Sequence, residues 1–303
     1  MHRPTARSIS ILLAVLFLLS FSANVFGWGR VGHRLVVRLA MRRLQTTAPG
    51  VPSKVAAILN GEPLLEAVMW PDDARFNPPY LTTYNNHFVD IPFGRQNYIA
   101  SEDCRFDPAK GDCVINALER YSNVLLTSGH SARERRDALA FILHFVGDMH
   151  QPMHDVAKDD DDGGNARKIC VREPNASESC YDDEDHEHKR NLHAAWDNYI
   201  IAWTGMSENQ YFNLLANRTA SMTQAQLNAI EQGTTVSWAE EAHRVAVQSA
   251  YQIGPRGNDG FYHITTQYYS DNRANIERQL LRAGVRLALV LKEIFEQHHG
   301  HAH

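Results

Sequence analysis

Apolar residues recur three and four positions apart along most of the chain, which is the spacing of one helix face. Seven segments carry this pattern and are predicted to be helices. They are GHRLVVRLAMRRL, VPSKVAAIL, VINALERYSNVLLT, RRDALAFILHFVGDMH, LHAAWDNYIIAWT, WAEEAHRVAVQSAY and ANIERQLLRAGVRLALVLKEIF. The alternation of a β-strand is nearly absent, and the best candidates are NNHFVDI and RKICV. The pattern therefore predicts an all-α fold with a small β-hairpin at most. Residues 28–303 contain no linker or internal repeat, so we expect a single domain there.

The first 27 residues have the composition of a secretory signal peptide. Arg3 and Arg7 precede an apolar run from Ile11 to Phe21, and small or short residues follow it. The run is too short to cross a bilayer as a stable helix, so an uncleaved membrane anchor is the weaker interpretation. Cleavage before Trp28 would leave a secreted or periplasmic protein.

The charge of the chain excludes one common way of binding nucleic acid. The formal net charge is −5, and removing residues 1–27 takes away two arginines and no acid, which makes it −7. No cluster of lysine and arginine supplies a surface that could neutralise many phosphates. Any phosphate that the protein handles must therefore meet positive charge of another origin.

The four cysteines fall in two close pairs within loop-like sequence. In an exported chain the favoured pairing is Cys104 with Cys113 and Cys170 with Cys180, although four cysteines allow three connectivities. A zinc–thiolate site is less favoured, since no Cys-x-x-Cys spacing is present.

Histidines and aspartates are concentrated in HFVGDMHQPMHD, an otherwise apolar stretch. Buried groups of these kinds need hydrogen bonds or a metal ion. His144 and Asp148 lie four residues apart and share a helix face, as do His193 and Asp197 in NLHAAWD. For either pair alone, an ordinary hydrogen bond explains the spacing equally well. Both pairs together, with His154 nearby, predict a metal site, and mixed histidine and aspartate ligands suit zinc.

Six short motifs follow one another along the chain. They are WGRVGH, WPDDAR, NHFVD, HFVGDMHQPMH, GGN and NLHAAWD, with QLLRAGVRLALVL near the end. In this order they closely resemble the zinc-dependent single-strand nucleases and 3′-nucleotidases of fungi, plants and bacteria. The resemblance covers essentially the whole chain from Trp28. It implies a mainly helical fold with three zinc ions in a cleft, and these ions would supply the positive charge that the composition lacks.

The resemblance implies a set of ligands for each ion, position by position. Asp72, His87, His144 and Asp148 would hold the first ion. Asp148 would bridge to a second ion, held also by His33 and by the amino and carbonyl groups of a terminal Trp28. The third ion would be held by His154, His193 and Asp197.

The resemblance also implies the reaction and its other residues. A zinc-activated bridging water would attack phosphorus in single-stranded DNA and RNA, giving 5′-phosphorylated products, and 3′-nucleotides would be substrates too. Asp72 would orient the water, and Arg75 would donate to the phosphoryl oxygens. Phe88 would stack on a base unless it is a core residue, Asp90 would accept a hydrogen bond from the base edge, and Asn165 would contact the substrate. No membrane contact or obligate protein partner is expected.

Two other functions compete with this interpretation. A zinc phospholipase C resembles the family in fold and ligands, but WPDDAR and NHFVD follow the nucleases, and no exposed apolar stretch suggests a membrane-binding face. An exported zinc-sequestering protein without catalysis is the second alternative, supported by the His-rich tail HHGHAH at 298–303 and by DEDHEHK. Such a protein would not need Arg75 beside a metal site. The acidic loop SESCYDDEDHEHKR departs from the family pattern, which leaves the substrate preference open.

Overall fold

The structure, a computed structural model, describes residues 28–172 and 190–296. Within them the protein is built mainly from helices, which confirms the predicted fold class. The predicted signal peptide, Cys180 and the His-rich tail 298–303 lie outside the described residues. None of the described helices is long and apolar enough to cross a membrane.

Thirteen α-helices lie in the described part of the chain, together with short 3₁₀ and π segments. The α-helices are α1 (Arg30–Thr47), α2 (Val51–Leu59), α3 (Leu64–Ala67), α4 (Trp70–Ala74), α5 (Ala100–Asp103), α6 (Val114–Leu126), α7 (Ala132–Asp148), α8 (Leu192–Ala194), α9 (Ile200–Trp203), α10 (Glu208–Ala220), α11 (Gln224–Glu231), α12 (Thr235–Val245) and α13 (Thr266–Glu296). The 3₁₀ segments are Tyr80–His87 and Pro152–His154, and the π segments are Ala195–Tyr199 and Ala246–Ala250.

The first and last α-helices, α1 and α13, pack extensively against each other. Val36, Ala40 and Leu44 of α1 are buried four residues apart, which is the spacing that the sequence predicts for a helix face. Each buried leucine contributes about 1.5 to 3 kcal/mol relative to an exposed one. A Cβ atom on Gly284 of α13 would lie 2.6 Å from the Cβ atom of Leu39, so this close packing requires glycine.

The helix α7 is embedded in the fold and carries predicted ligands at its end. A capping box begins it: the Ser131 hydroxyl accepts from the backbone N–H of Glu134, and the Glu134 carboxylate accepts from the Ser131 N–H. Every residue from Ala138 to Asp148 is buried, and Phe141 stacks on Tyr121 of α6 with ring centroids 4.4 Å apart. The end of α7 is thus a rigid, enclosed support for polar side chains.

One small sheet is present in the described residues, formed by β1 (Ile169–Arg172) and β2 (Tyr262–Thr265). The two strands are parallel, so the predicted hairpin is wrong in its topology. A parallel pair needs a long connection, and here α8 to α12 lie between the strands. RKICV includes β1 as expected, whereas NNHFVDI forms no strand, since its first three residues end the 3₁₀ segment Tyr80–His87.

The predicted disulfide between Cys104 and Cys113 is present and closes a short loop between α5 and α6. Cys170 lies on β1. Its pairing with Cys180, which is outside the described residues, stays a prediction.

Candidate metal centre

Four imidazoles surround the carboxylate of Asp148 at the end of α7, and all five side chains are buried. Asp148 Oδ1 lies 3.3 Å from His33 Nε2 and 3.6 Å from His154 Nδ1. Asp148 Oδ2 lies 3.0 Å from His87 Nδ1 and 3.2 Å from His144 Nε2. A carboxylate placed among so many imidazoles can bridge two cations that these rings bind.

The buried histidines and aspartates form three groups, each of a size that could hold one metal ion. Within each group the nitrogen and oxygen ligand atoms lie within 4.8 Å of one another. The groups are Asp72, His87 and His144; His33, His144 and Asp148; and His154, His193 and Asp197. Together they contain every side chain that the sequence predicts as a ligand, and Trp28 alone of the predicted ligand residues is outside them.

The donor atoms of these groups fit a metal because the protein leaves many of them without hydrogen bonds. Buried polar atoms are normally hydrogen-bonded. The buried atoms without a partner include both Asp72 oxygens, both His33 ring nitrogens, His87 Nε2, His144 Nε2, Asp148 Oδ1 and Asp197 Oδ2. Imidazole nitrogens and carboxylate oxygens in such a cluster are the donor set that zinc accepts.

Backbone carbonyl groups fix the orientation of three of the imidazoles. A carbonyl oxygen can only accept, so Nδ1 of each ring carries the proton and Nε2 of the neutral ring keeps its lone pair. The pairs are His144 with Val68 O at 2.7 Å, His154 with His87 O at 2.7 Å and His193 with Gly163 O at 2.8 Å. Each ring therefore offers Nε2 to a metal ion.

Electrostatics around Asp148 favour a cation. Burial by itself would lower the pKa of His144, but the charges of Asp148 and Asp72 outweigh burial and raise this pKa to about 10. Burial would raise the pKa of Asp148, yet the neighbouring imidazoles, His144 foremost, hold it well below its usual value. Without a metal ion, His144 therefore keeps a proton next to the Asp148 carboxylate. A bound metal ion would take the place of that proton as the positive charge in the cluster.

The third group is built on an irregular helix. His193 and Asp197 lie four residues apart, with His193 Nε2 3.5 Å from Asp197 Oδ2. α8 ends at Ala194, however, and Asp197 lies in the following π segment, a conformation that is common at functional sites. Burial lowers the pKa of His193 to about 3 and that of His154 to about 4, so both rings are neutral and able to bind a metal near pH 7.

Trp28 lies close to His33 and Asp197 at the start of the described chain. Its side chain is fully buried, and the N–H of Gly29 donates to the backbone oxygen of Asp197 at 3.1 Å. A Cβ atom on Gly147 would lie 2.7 Å from His33 Nδ1, so the His33 ring can pass α7 only because residue 147 is glycine. The structure thus brings Trp28 near the group that contains His33 and the group that contains Asp197. The role of Trp28 as a ligand stays a prediction.

Arg75 lies beside the first group. It directly follows α4, which contains Asp72, and Arg75 Nη2 is 3.8 Å from Asp72 Oδ1. Both side chains are buried, with Arg75 8% exposed. A guanidinium group held here can donate to an oxyanion bound at the first metal position.

Phe88 and Asp90 line one cavity of about 120 Å³. Asp90 is an exposed residue, but desolvation of its carboxyl group by the surrounding protein, together with the charges of Asp162 and Asp103, raises its pKa to about 6. Asn165 does not line this cavity, and its side-chain amide donates to the backbone oxygen of Asp162 at 2.9 Å. The structure therefore brings together two of the three residues that were expected to contact substrate.

The chain matches one known family over all the residues described above. The family model described as S1/P1 Nuclease matches residues 28–296. The chain belongs to this family. Endonuclease 1 of Arabidopsis thaliana is 30% identical, covering 98% of this chain and 96% of that protein. Nuclease P1 of Penicillium citrinum is 27% identical (88% and 97% covered), and Nuclease S1 of Aspergillus oryzae is 25% identical (92% and 96% covered).

As a member of the S1/P1 nuclease family, the chain is a hydrolase of phosphodiester bonds in nucleic acid. The match confirms the family that the motifs predict, and it includes all three groups. It favours the nuclease interpretation over a zinc phospholipase C.

Gln151 is a site residue that the sequence pattern does not reveal. It is fully buried, its Nε2 donates to Asp197 Oδ1 at 2.5 Å, and its Oε1 accepts from the Met153 N–H at 2.6 Å. The adjacent His150 instead pairs its Nε2 with Arg286 Nη1 at 2.9 Å, which gives it a structural role. The sequence does place this polar residue between the predicted ligands Asp148 and His154. It does not show that Gln151 contacts Asp197, because Asp197 lies in a distant segment.

Proposed function

We propose that this chain is an exported, zinc-dependent endonuclease that cleaves single-stranded DNA and RNA to 5′-phosphorylated products and also hydrolyses 3′-nucleotides. The observation that carries the proposal is the presence of three groups of buried histidine and aspartate atoms in a member of the S1/P1 nuclease family. The relatives named endonuclease and nuclease agree with it. Residues 1–27 would direct export, and the mature chain would begin at Trp28.

Three zinc ions would be held by nine residues. The first set is Asp72, His87, His144 and Asp148; the second is Trp28, His33 and Asp148; and the third is His154, His193 and Asp197. Zinc held by these residues would lower the pKa of a bound water towards neutrality and would offset negative charge on the phosphate and on the leaving oxygen.

Asp72 and Arg75 prepare the phosphate for attack. Both oxygens of Asp72 are buried without a hydrogen-bond partner, so one can bind a metal ion while the other accepts a hydrogen bond from the attacking water and orients it. Arg75 donates to the phosphoryl oxygens, and this donation strengthens as negative charge builds there.

Phe88 and Asp90 select an unpaired base. Because both residues line one cavity, the Phe88 ring would stack on the face of a base while the Asp90 carboxylate accepts a hydrogen bond from its edge. A base that is stacked and paired in a duplex presents neither surface. Single strands are therefore preferred over duplexes.

Digestion assays with the protein beginning at Trp28 test the proposal. Single-stranded DNA is expected to be cleaved more than about tenfold faster than duplex DNA, because loss of one base-stacking contact alone costs about 1 to 3 kcal/mol. A chelator should abolish cleavage, and added zinc should restore it. Hydrolysis of phosphatidylcholine with nucleic acid left intact would contradict the proposal and support a phospholipase.

A further inference from the structure

Two exposed aromatic rings lie next to the metal centre but outside the cavity of Phe88. Phe76 is 43% exposed and Tyr84 is 36% exposed. Their ring centroids are 6.0 Å apart, with the planes 76° from parallel. Neither ring belongs to the hydrophobic core or lines the Phe88 cavity. Packing within the protein therefore does not account for this pair.

Two cations flank the pair. The guanidinium carbon of Arg75 lies 5.0 Å from the Phe76 ring centroid and 5.5 Å from that of Tyr84. Lys110 Nζ lies 5.6 Å from the Tyr84 centroid. Rings that bind bases and cations that bind phosphates are the two components of a single-strand binding surface. We name Phe76, Tyr84 and Lys110 the aromatic subsite.

The local fold holds the aromatic subsite against the first metal group. Phe76 follows Arg75, which contacts Asp72, and Tyr84 lies one 3₁₀ turn before His87. Anything bound on these rings therefore adjoins a phosphate bound at the metal centre.

The disulfide loop fixes Lys110 beside Tyr84. The loop is closed by the Cys104–Cys113 bond, and the Lys110 carbonyl accepts from the backbone N–H of Asn85 at 2.9 Å. Gly111 has φ 94°, and a Cβ atom there would lie 2.0 Å from the Thr82 backbone oxygen. Only glycine permits the loop to press this closely on the 3₁₀ segment.

We propose that the aromatic subsite binds a second nucleotide of a single-stranded substrate, next to the nucleotide whose phosphate is cleaved. Phe76 stacks on the face of its base, Tyr84, whose plane is 76° from that of Phe76, contacts the edge of the base, and Lys110 binds its phosphate. This inference rests on the proposed function, and it adds a subsite that only substrates of more than one nucleotide can use.

Kinetics on three substrates test the subsite. They are a single-stranded DNA 12-mer, a 3′-mononucleotide and bis(nitrophenyl) phosphate, a diester without bases. Phe76→Ala should raise KM for the 12-mer by about 5- to 160-fold, the range for one lost stacking contact, with kcat unchanged. Its rates on the other two substrates should stay at the wild-type level, which also shows that the variant is folded.

Three further variants control for other effects. Phe76→Tyr keeps a stacking ring and should restore the wild-type KM. Leu81→Ala removes a side chain of similar exposure, 47%, from the 3₁₀ segment that contains Tyr84, but leucine has no aromatic face, so KM should not change. Lys110→Gln should reduce the slope of log KM against log salt by about 0.7, the value for one phosphate contact on a single strand.

The outcomes separate the subsite from the proposed function. If the wild type cleaves the 12-mer and Phe76→Ala does so with the same KM, the subsite is refuted and the function stands. Equal losses with Leu81→Ala, or equal losses on all three substrates, would also refute it. If the wild type hydrolyses only the base-free diester, the proposed function itself fails.

Discussion

Replacing Gln151 by methionine is expected to weaken the third zinc position while leaving the fold intact. The Gln151 amide donates to Asp197 Oδ1 at 2.5 Å, and both side chains are buried. Methionine has a similar length but neither the donor nor the acceptor, so the Met153 N–H loses its acceptor as well. Asp197 would then keep its place in the chain but lose the hydrogen bond that orients its carboxylate toward His154 and His193.

The size of the effect follows from the charge and burial of this contact. An Asp197 carboxylate that binds zinc is ionised, and a hydrogen bond to a charged group contributes about 1.5 to 3 kcal/mol, which water cannot replace at a buried site. Groups that orient metal ligands in this way change metal affinity by about 10- to 100-fold when they are removed. Zinc bound by His154, His193 and Asp197 should weaken by that factor, with little change at the other two positions.

Competition with a chelating dye, followed by native mass spectrometry, measures this loss. The matched control is Gln279→Met, since Gln279 is equally buried but donates to the His150 backbone oxygen at 3.2 Å rather than to a carboxylate. Thermal unfolding of the metal-free proteins shows whether either variant is misfolded. Zinc affinities of Gln151→Met equal to those of the wild type would refute the role assigned to Gln151.

Three other predictions concern single positions. Asp148→Asn should lose at least about 100-fold in rate and bind fewer than three zinc ions, because one carboxylate serves two positions; full zinc content and rate would contradict this. Asp90 should take up a proton as the pH falls through about 6 and then no longer accept a hydrogen bond from the base edge. KM for a 3′-nucleotide, measured at saturating zinc, should therefore rise below that pH in the wild type and stay constant in Asp90→Asn. A protein with residues retained before Trp28 should fold but lack one zinc ion, because the Trp28 nitrogen is then part of a peptide bond; native mass spectrometry measures this. Equal zinc content and rates in the extended and trimmed forms would exclude a role for the terminus.

Periodic apolar positions predicted the helices that are buried on one face. The segments containing α1, α2, α6, α7 and α13 were all identified in this way. The helices α10 and α11 were missed because few of their residues are buried. Their capping boxes, Ser207 with Gln210 and Thr223 with Gln226, were the available signal.

Contacts between distant segments were harder to predict. The partner of β1 lies beyond five further helices, and four-residue strands have too little alternation to reveal a pairing. The helical pattern was also expected to run past Asp148, but α7 ends there and His154 lies in a separate 3₁₀ turn. The spacing of histidines and aspartates predicted two local pairs, one in α7 and one in NLHAAWD. That His33 and Asp72 contact side chains of α7 depends on the fold, and it was expected only from the family resemblance.

Zinc titration of the metal-free protein beginning at Trp28 tests the central claim most directly. Bound zinc is counted by native mass spectrometry, and the rate on single-stranded DNA is measured in the same samples. We predict that binding stops at three ions and that the full rate appears only in the three-zinc form. Full activity in protein without zinc, or the absence of zinc binding at the buried histidine and aspartate groups, would contradict the account.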